Sequence, residues 1–228
     1  MSARPPRAPT VVNLCFHGIG APERELEPDE ERYWVEAEQF EELLEVVRSH
    51  PSLRLTFDDG NASDAELALP ALERAGLTAS FFVVAGRMGQ RGSLRADQVR
   101  ELARAGMTIG NHGLRHRSWR SLGAEELEEE LDEARASIAE AAGRPVDEAA
   151  CPFGDYDRRV LRALRNRGFH RVYTVDDGAA RADAWLQARH TIRATETPAT
   201  VERLAVGASD GLLASAGRSL RSAVKRWR

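Results

Sequence analysis

The amino-acid sequence predicts an α/β protein, a parallel sheet with covering helices in a single domain. Strand-like apolar runs alternate along the chain with segments of helical period. The chain is long enough, at 228 residues with 42% hydrophobic content, to bury one substantial core. Its chemistry-bearing residues also recur just after strand-like runs, where folds of this class place reacting groups.

The elements read in order as follows. Val11–Phe16 is a first buried strand, followed by a polar, acidic loop through Pro22 and Pro28. Val35, Phe40, Leu43, Leu44 and Val47 fall at helical spacing, with His50-Pro51 as a stop. Leu53–Phe57 is a strand. Ala65–Arg74 reads as a helix ending at Gly76, with a break or kink demanded by Pro70. Thr78–Val84 is the clearest buried strand, and Ala96–Arg104 is a helix with Gly106 as its expected C-terminal cap. Met107–Gly110 is a further strand. Leu127, Leu131, Ala134 and Ile138 stripe an acidic helix that stops near Gly143. Ala149–Cys151 is a short strand, Asp157–Arg167 a helix closed by Gly168, and Arg171–Val175 another strand. Residues 176–195 carry no clear period. Val201–Val206 and the tail from Leu212 read as helical.

Composition excludes several classes. The net charge of −4 argues against a nucleic-acid binder. Two cysteines, Cys15 and Cys151, cannot build a disulfide framework, and no window is apolar enough for a membrane-spanning helix or a signal segment. A cytoplasmic location is the expectation. The charge is unevenly spread, since residues 23–45 and 125–140 are acid-rich whereas Arg218–Arg228 holds five basic residues and no acid.

The chemistry is concentrated in Thr56-Phe57-Asp58-Asp59-Gly60 and, about fifty residues later, Asn111-His112-Gly113-Leu114-Arg115-His116. One carboxylate and two imidazoles suit an open, catalytic divalent-metal site, and the spare carboxylate stands where a hydrolase needs its general base. Asp-Asp-Gly after a strand is often only a turn, and Asp176-Asp177-Gly178 repeats the tripeptide. Two histidines at i and i+4 in a different loop are harder to assign to turn chemistry. The same ligand count occurs in iron oxygenases, but nothing in the sequence marks a redox co-substrate.

Together with Pro152-Phe153-Gly154-Asp155-Tyr156, these segments resemble the first three motifs of the polysaccharide deacetylases (carbohydrate esterase family 4, NodB-homology proteins), in order and spacing, over residues 11–195. The resemblance implies a distorted (β/α)7 barrel that hydrolyses acetyl groups on amino sugars with a divalent metal, Zn2+ most commonly, Co2+ or Ni2+ as substitutes. Carried over by position, Asp59, His112 and His116 are the metal ligands and Asp58 the catalytic base. Pro152, Phe153, Gly154 and Tyr156 border the substrate, with a backbone N–H near Phe153 for the oxyanion. A general acid must protonate the departing amine. His17 ends the first strand like the strand-end Tyr-His of exopolysaccharide deacetylases, and is preferred over His190, whose surroundings do not look like the fifth motif.

Departures matter too. The arginine that orients the base in many members is Ala150 here, so Arg189 or Arg193 is expected to act from a late loop; Asp176, Asp177 and Trp185 are the nearest matches to the fourth motif. The sequence thus divides into a flexible N-terminus (1–10), a deacetylase domain (11–207) and a basic helix or tail (208–228) suited to peripheral contact with an anionic inner-membrane surface. The expected partner is an acetylated carbohydrate. A hydrolase of small non-peptide amides and an inactive glycan-binding protein are the competing readings.

Overall fold

A computed structural model describes residues 8–209. The basic tail from residue 210, with its membrane reading, and residues 1–7 lie outside the described residues. The strands are β1 (Thr10–Phe16), β2 (Gly18–Ile19), β3 (Trp34–Val35), β4 (Leu53–Phe57), β5 (Ala79–Val83), β6 (Thr108–Asn111), β7 (Glu148–Ala150), β8 (Arg171–Tyr173), β9 (Ala180–Arg181), β10 (Leu186–Gln187) and β11 (Arg189–Thr191). The main sheet runs β10-β8-β7-β6-β5-β4-β1-β11 with every neighbour parallel; β9 adds an antiparallel pairing to β1, and β2 and β3 form a separate ribbon.

The two edges of that path are one stretch of chain. β10 pairs with β8, and after Ala188 alone the backbone resumes as β11 against β1. Leu186–Thr191 is therefore a single stave split at Ala188, and it closes the sheet into an almost complete barrel of seven parallel staves. Asn13 pins the split, its Nδ2 donating to Gln187 Oε1 at 3.0 Å and to the Ala188 carbonyl at 2.9 Å. The stretch that showed no period in the sequence is thus the seam of the barrel. Its strands are two and three residues long, too short for any repeat to register.

Helices cover the outside. Phe40, Leu43, Leu44 and Val47 of α1 (Ala37–Ser49) are buried in the main core with Leu14, Phe16, Leu55, Phe57 and Phe81. The Phe57 ring stacks on Phe81 at 4.6 Å. Val35, expected to open this helix, lies instead in β3 beside Ile19. Pro70 is accommodated by an interruption of the α-helix: a π turn over Asp64–Ala68 precedes α2 (Leu69–Ala75), which places the proline in the first turn of the α-helical segment. α3 (Ala96–Arg104) matches its expected span and closes as expected at Gly106, whose φ of +85° lets Met107 N–H reach the Leu102 carbonyl at 3.1 Å.

The acidic helix is α4 (Ala124–Glu128), a π turn (Glu129–Glu133) and α5 (Ala134–Ala142). The wide turn leaves the carbonyls of Glu130 and Leu131 to accept from Asn111 Nδ2, each at 3.2 Å. α6 (Arg158–Asn166) starts on an Asp157 cap that accepts from Val160 N–H at 2.9 Å, and α7 (Pro198–Ser209) ends the described chain. No helix among the described residues is long and apolar enough to cross a membrane.

Because Asn13 pins the split in the seam, Asn13→Ala should cost about 2 kcal/mol by leaving buried acceptors unpaired. Urea denaturation of the two proteins checks this; a change within error would mean the seam is held by its ladder bonds alone.

Candidate active site

The carboxyl ends of β1, β4, β6 and β7 deliver the sequence motifs to one cleft of 240 Å³. His17, Asp58, Asp59, His112, His116 and Phe153 line it, with Glu27–Glu30, Arg32 and Tyr33 of the acidic loop forming much of the wall. Backbone ladder bonds set the approach: Asp58 N–H donates to the Phe16 carbonyl and His112 N–H to the Val83 carbonyl, both at 2.9 Å. Asp59 then turns to φ +76° and Gly60 to φ +70°, so the chain reverses immediately and the two adjacent carboxylates leave in different directions.

Asp59 faces the histidines. Its Oδ1 lies 3.2 Å from His116 Nε2 and 3.5 Å from His112 Nε2. This oxygen is fully buried and accepts no hydrogen bond among the described residues, which is costly unless a cation completes it. The far nitrogen of His112 is held by the Ala150 carbonyl at 2.9 Å, leaving Nε2 to point at Asp59. Burial, the largest influence on His112, lowers its pKa to about 4 and keeps it in the neutral form a metal ligand requires. His116 Nδ1 sits 3.4 Å from Glu27 Oε1, a carboxylate that also pairs with Arg87. Asp59, His112 and His116 form one of two groups of close donor atoms among the described residues, and they fit a divalent metal.

The other group, Cys15, His17 and Asp58, does not. Both Asp58 oxygens are taken by the Arg189 guanidinium, Oδ1 from Nη1 and Oδ2 from Nη2, each at 2.6 Å. Burial by itself would raise the Asp58 carboxyl; the charge of Arg189 overcomes it and holds Asp58 well below the usual carboxylate range. Burial pushes the Cys15 thiol up, so at neutral pH it stands as S–H, 3.4 Å from Asp58 Oδ2, where it donates. Arg189 is wholly buried at the seam and is further tied to the Thr174 carbonyl at 3.1 Å and to Thr56 Oγ1 at 3.3 Å. Of the two arginines the sequence offered, Arg189 reaches the carboxylate, and Arg193 is exposed beyond β11.

The remaining expected residues divide. The His17 ring stacks on Tyr33 at 5.1 Å, and its buried Nδ1 has no partner among the described residues. His190 points elsewhere, between Asp177 Oδ1 at 3.0 Å and Glu196 Oε2 at 3.3 Å, and does not line the cleft. Of the third-motif residues Phe153 alone lines it. Its φ of +57° sets the exposed ring against His116 at 4.4 Å. Pro152 and Gly154 build that turn, and the buried Tyr156 hydroxyl reaches Asp176 Oδ2 at 2.5 Å.

Glu130 was not singled out by the sequence reading, yet it shapes the His112–His116 loop. Wholly buried, it accepts from Leu114 N–H at 2.6 Å and Arg115 N–H at 3.1 Å, and a Cβ at Gly113 would meet its Oε2 at 2.4 Å. In sequence it is one acid among many on an acidic helix; only its place beside Leu131 on the apolar stripe sets it apart.

Comparison with known proteins gives the family and the fold. Residues 46–172 match the family model for polysaccharide deacetylases. The YxkH protein of Bacillus subtilis (strain 168) is 26% identical over 145 residues, 64% of this chain and 52% of that one. The chitooligosaccharide deacetylase of Rhizobium leguminosarum bv. trifolii is 28% identical over 123 residues, 54% of this chain and 55% of that one. The chain thus spans about half the length of these relatives. The deacetylase PplD of Streptococcus pyogenes, solved in complex with acetate, shares the fold at a TM-score of 0.74 and 18% identity, covering 86% of this chain and 98% of that one.

Removing Arg189 would strand a buried charge, so Arg189→Met in metal-free protein should lose about 3–5 kcal/mol at pH 7. The sign of its pH dependence follows. In the parent, Asp58 has a folded pKa below its unfolded one, so stability rises with pH up to the ordinary carboxylate range. In the variant, burial without a cation raises the folded pKa and stability falls as pH rises. The gap between the two proteins should therefore narrow from pH 7 to pH 4, measured by urea denaturation; a constant gap would show that Asp58 is not the group uncovered.

Proposed function

The chain belongs to the polysaccharide deacetylase family, and from that membership and the cleft's geometry we propose that it hydrolyses N-acetyl groups on amino sugars of a polysaccharide or its precursor. The observation that carries the reading is the division of labour between neighbouring carboxylates. Asp59 has a bare buried oxygen aimed at two imidazoles, whereas Asp58 is locked as an anion beside them by Arg189.

Asp59, His112 and His116 would hold the divalent metal, Zn2+ by preference, which when bound polarises the acetyl carbonyl and favours ionisation of water. Asp58 takes the proton from the attacking water. The bidentate clamp fixes its orientation at some cost in basicity, and each carboxylate oxygen keeps a further lone pair for that contact. His17 then gives a proton to the departing amine. Its ring nitrogen lies within 4.8 Å of the Asp58 carboxylate and the Cys15 sulfur, close enough for one water to relay the proton from base to acid. Phe153 offers an exposed ring to a sugar face, and the backbone N–H at the head of its turn is the donor proposed for the oxyanion. The amino-sugar substrate is supported by the chitooligosaccharide deacetylase among the relatives. The inactive reading is favoured by the lost arginine at Ala150 and by the weak fourth and fifth motifs; the contact of Arg189 with Asp58 speaks against the first of these grounds.

The test is acetate release from N-acetylglucosamine oligomers and from a generic acetyl ester, by metal-stripped protein reloaded with Zn2+, Co2+ or Ni2+. Release from the oligomers should return with metal and be abolished by Asp58→Asn and by His112→Ala. His17→Ala should lower turnover by about 10²–10⁴-fold and remove one limb of the pH profile, whereas His190→Ala should leave both unchanged. Metal binding without acetate release would favour the small-amide hydrolase. Failure to bind metal at all would sink the hydrolase reading.

A further inference from the structure

The chain carries a net charge of −4, yet one of its faces is strongly basic. α6 contains Arg158, Arg159, Arg162 and Arg165 and no acid. Val160 and Leu164 pack with Trp119 in a second core cluster, which fixes the side of the helix that faces inward. At 3.6 residues per turn the four arginines and Asn166 fall on the opposite arc, about 120° wide, and all five are exposed. Arg120, exposed on the short helix Trp119–Ser121, joins them. Arg159 Nη2 donates to the Trp119 and Arg120 carbonyls at 3.1 and 3.2 Å and so ties that helix to the start of α6.

The arginines around this patch are neutralised, Arg117 by Glu126 at 2.8 Å and Arg167 by Asp132 at 2.7 Å. Arg120, Arg159, Arg162 and Arg165 pair with no carboxylate among the described residues. Arg165 lies instead over the Trp185 ring, at 4.1 Å. The patch sits at the cleft end of the barrel. Arg158 is five residues beyond Phe153 and Arg120 four beyond His116, so even extended chain would separate them by at most about 18 and 14 Å. The acids in between are engaged, Asp155 with Ser118 Oγ at 3.1 Å and Asp157 with Val160 N–H at 2.9 Å. The acidic loop stands on another wall of the cleft, so a polyanion held at Phe153 would be repelled there and drawn toward α6.

Charge complementarity calls for an anionic partner, and two further observations select its kind. A bilayer surface is gripped by apolar side chains set among the charges, and α6 exposes no large apolar side chain. A linear polyanion needs only charge and a path, and the path begins at the exposed Phe153 ring beside His116. We propose that the outer face of α6, with Arg120, binds the chain of an anionic polysaccharide whose acetylated sugar occupies the cleft. The charges would be uronate carboxylates or phosphates, both of which guanidinium groups recognise. This inference names the substrate class of the proposed deacetylase and rests on that reading for the sugar in the cleft, while the basic surface can be tested without turnover.

Isothermal titration of the full chain with three oligosaccharides of equal length tests it: a neutral chitin oligomer, a hyaluronan oligomer bearing uronates, and an oligomer of N-acetylglucosamine phosphate. At low salt one or both anionic oligomers should bind at least about tenfold more tightly than the neutral one, and added salt should shrink the margin. The better binder tells uronate from phosphate. Arg120→Gln combined with Arg162→Gln should bring its affinity down to that of the chitin oligomer. Arg104→Gln, the same charge change at an exposed residue of α3, should leave it unchanged. Thermal unfolding without ligand shows that each variant is folded. Acetate release is read separately on the same oligomers, so selective binding without release would count against the deacetylase reading and for the basic surface. The proposal is overturned if the anionic oligomers bind no better than the neutral one, or if Arg104→Gln weakens them as much as the double variant. It is also overturned if phosphatidylglycerol vesicles bind through Arg120 and Arg162 while neither anionic oligomer does.

Discussion

The buried pair between Arg189 and Asp58 is the constraint on which both the site and the barrel depend. A guanidinium and a carboxylate this deep are tolerable only with near-ideal geometry, and here two bonds of 2.6 Å are joined by bonds from Arg189 to Thr174 and Thr56. Arg189 is the first residue after the split in the seventh stave, and Asp58 is the first after β4. Between them runs β1, which pairs with both strands. Closing the barrel and orienting the Asp58 carboxylate are therefore one event, and the seam cannot slip without leaving a charge unpaired in the interior.

Around that fixed pair the site is made from backbone that L-residues rarely adopt. Asp59, His116 and Phe153 all have positive φ, each costing on the order of 1–3 kcal/mol. Such strain persists where the surroundings over-determine it. Glu130 and the Asn111 side chain do so for the histidine loop, the latter taking Gly113 N–H at 2.7 Å. Arg24, paired with Glu30 and bonded to Asn61 Oδ1 at 3.0 Å, does so for the acidic loop beside Asp59. The acid-rich stretch at 23–31 is thus partly a framework of internal ion pairs, which its composition alone would not distinguish from a solvated surface.

How much was legible in the sequence follows the range of the interactions involved. The strands that enter the site, and the residues that follow them, were readable because strand period and turn chemistry are local. Residues 186–191 were not, because two- and three-residue strands take their conformation from their neighbours in the sheet. Arg189 could be narrowed to one of two arginines and no further, since its partner lies 131 positions away. Glu130 was hidden for a similar reason: its burial is set by a π turn and by amides in another loop. The break expected at Pro70 takes the form of a π turn just ahead of the proline, a form that the proline alone does not specify.

Ala150 shows how the departure from the expected motif and the Arg189–Asp58 contact fit together. Its side chain packs with Phe82 and Tyr173 inside the lumen, and its carbonyl orients His112. The Arg189 side chain passes over those same two rings on its way to Asp58. An arginine at position 150 would start from this wall of the lumen and compete for the volume that Arg189 fills, whereas a methyl group leaves it open. Both residues are fully buried in a closely packed interior, where adding one large side chain requires losing another. The small residue at 150 and the arginine at 189 are thus two halves of one solution, in which the clamp on Asp58 is supplied by the strand that closes the barrel.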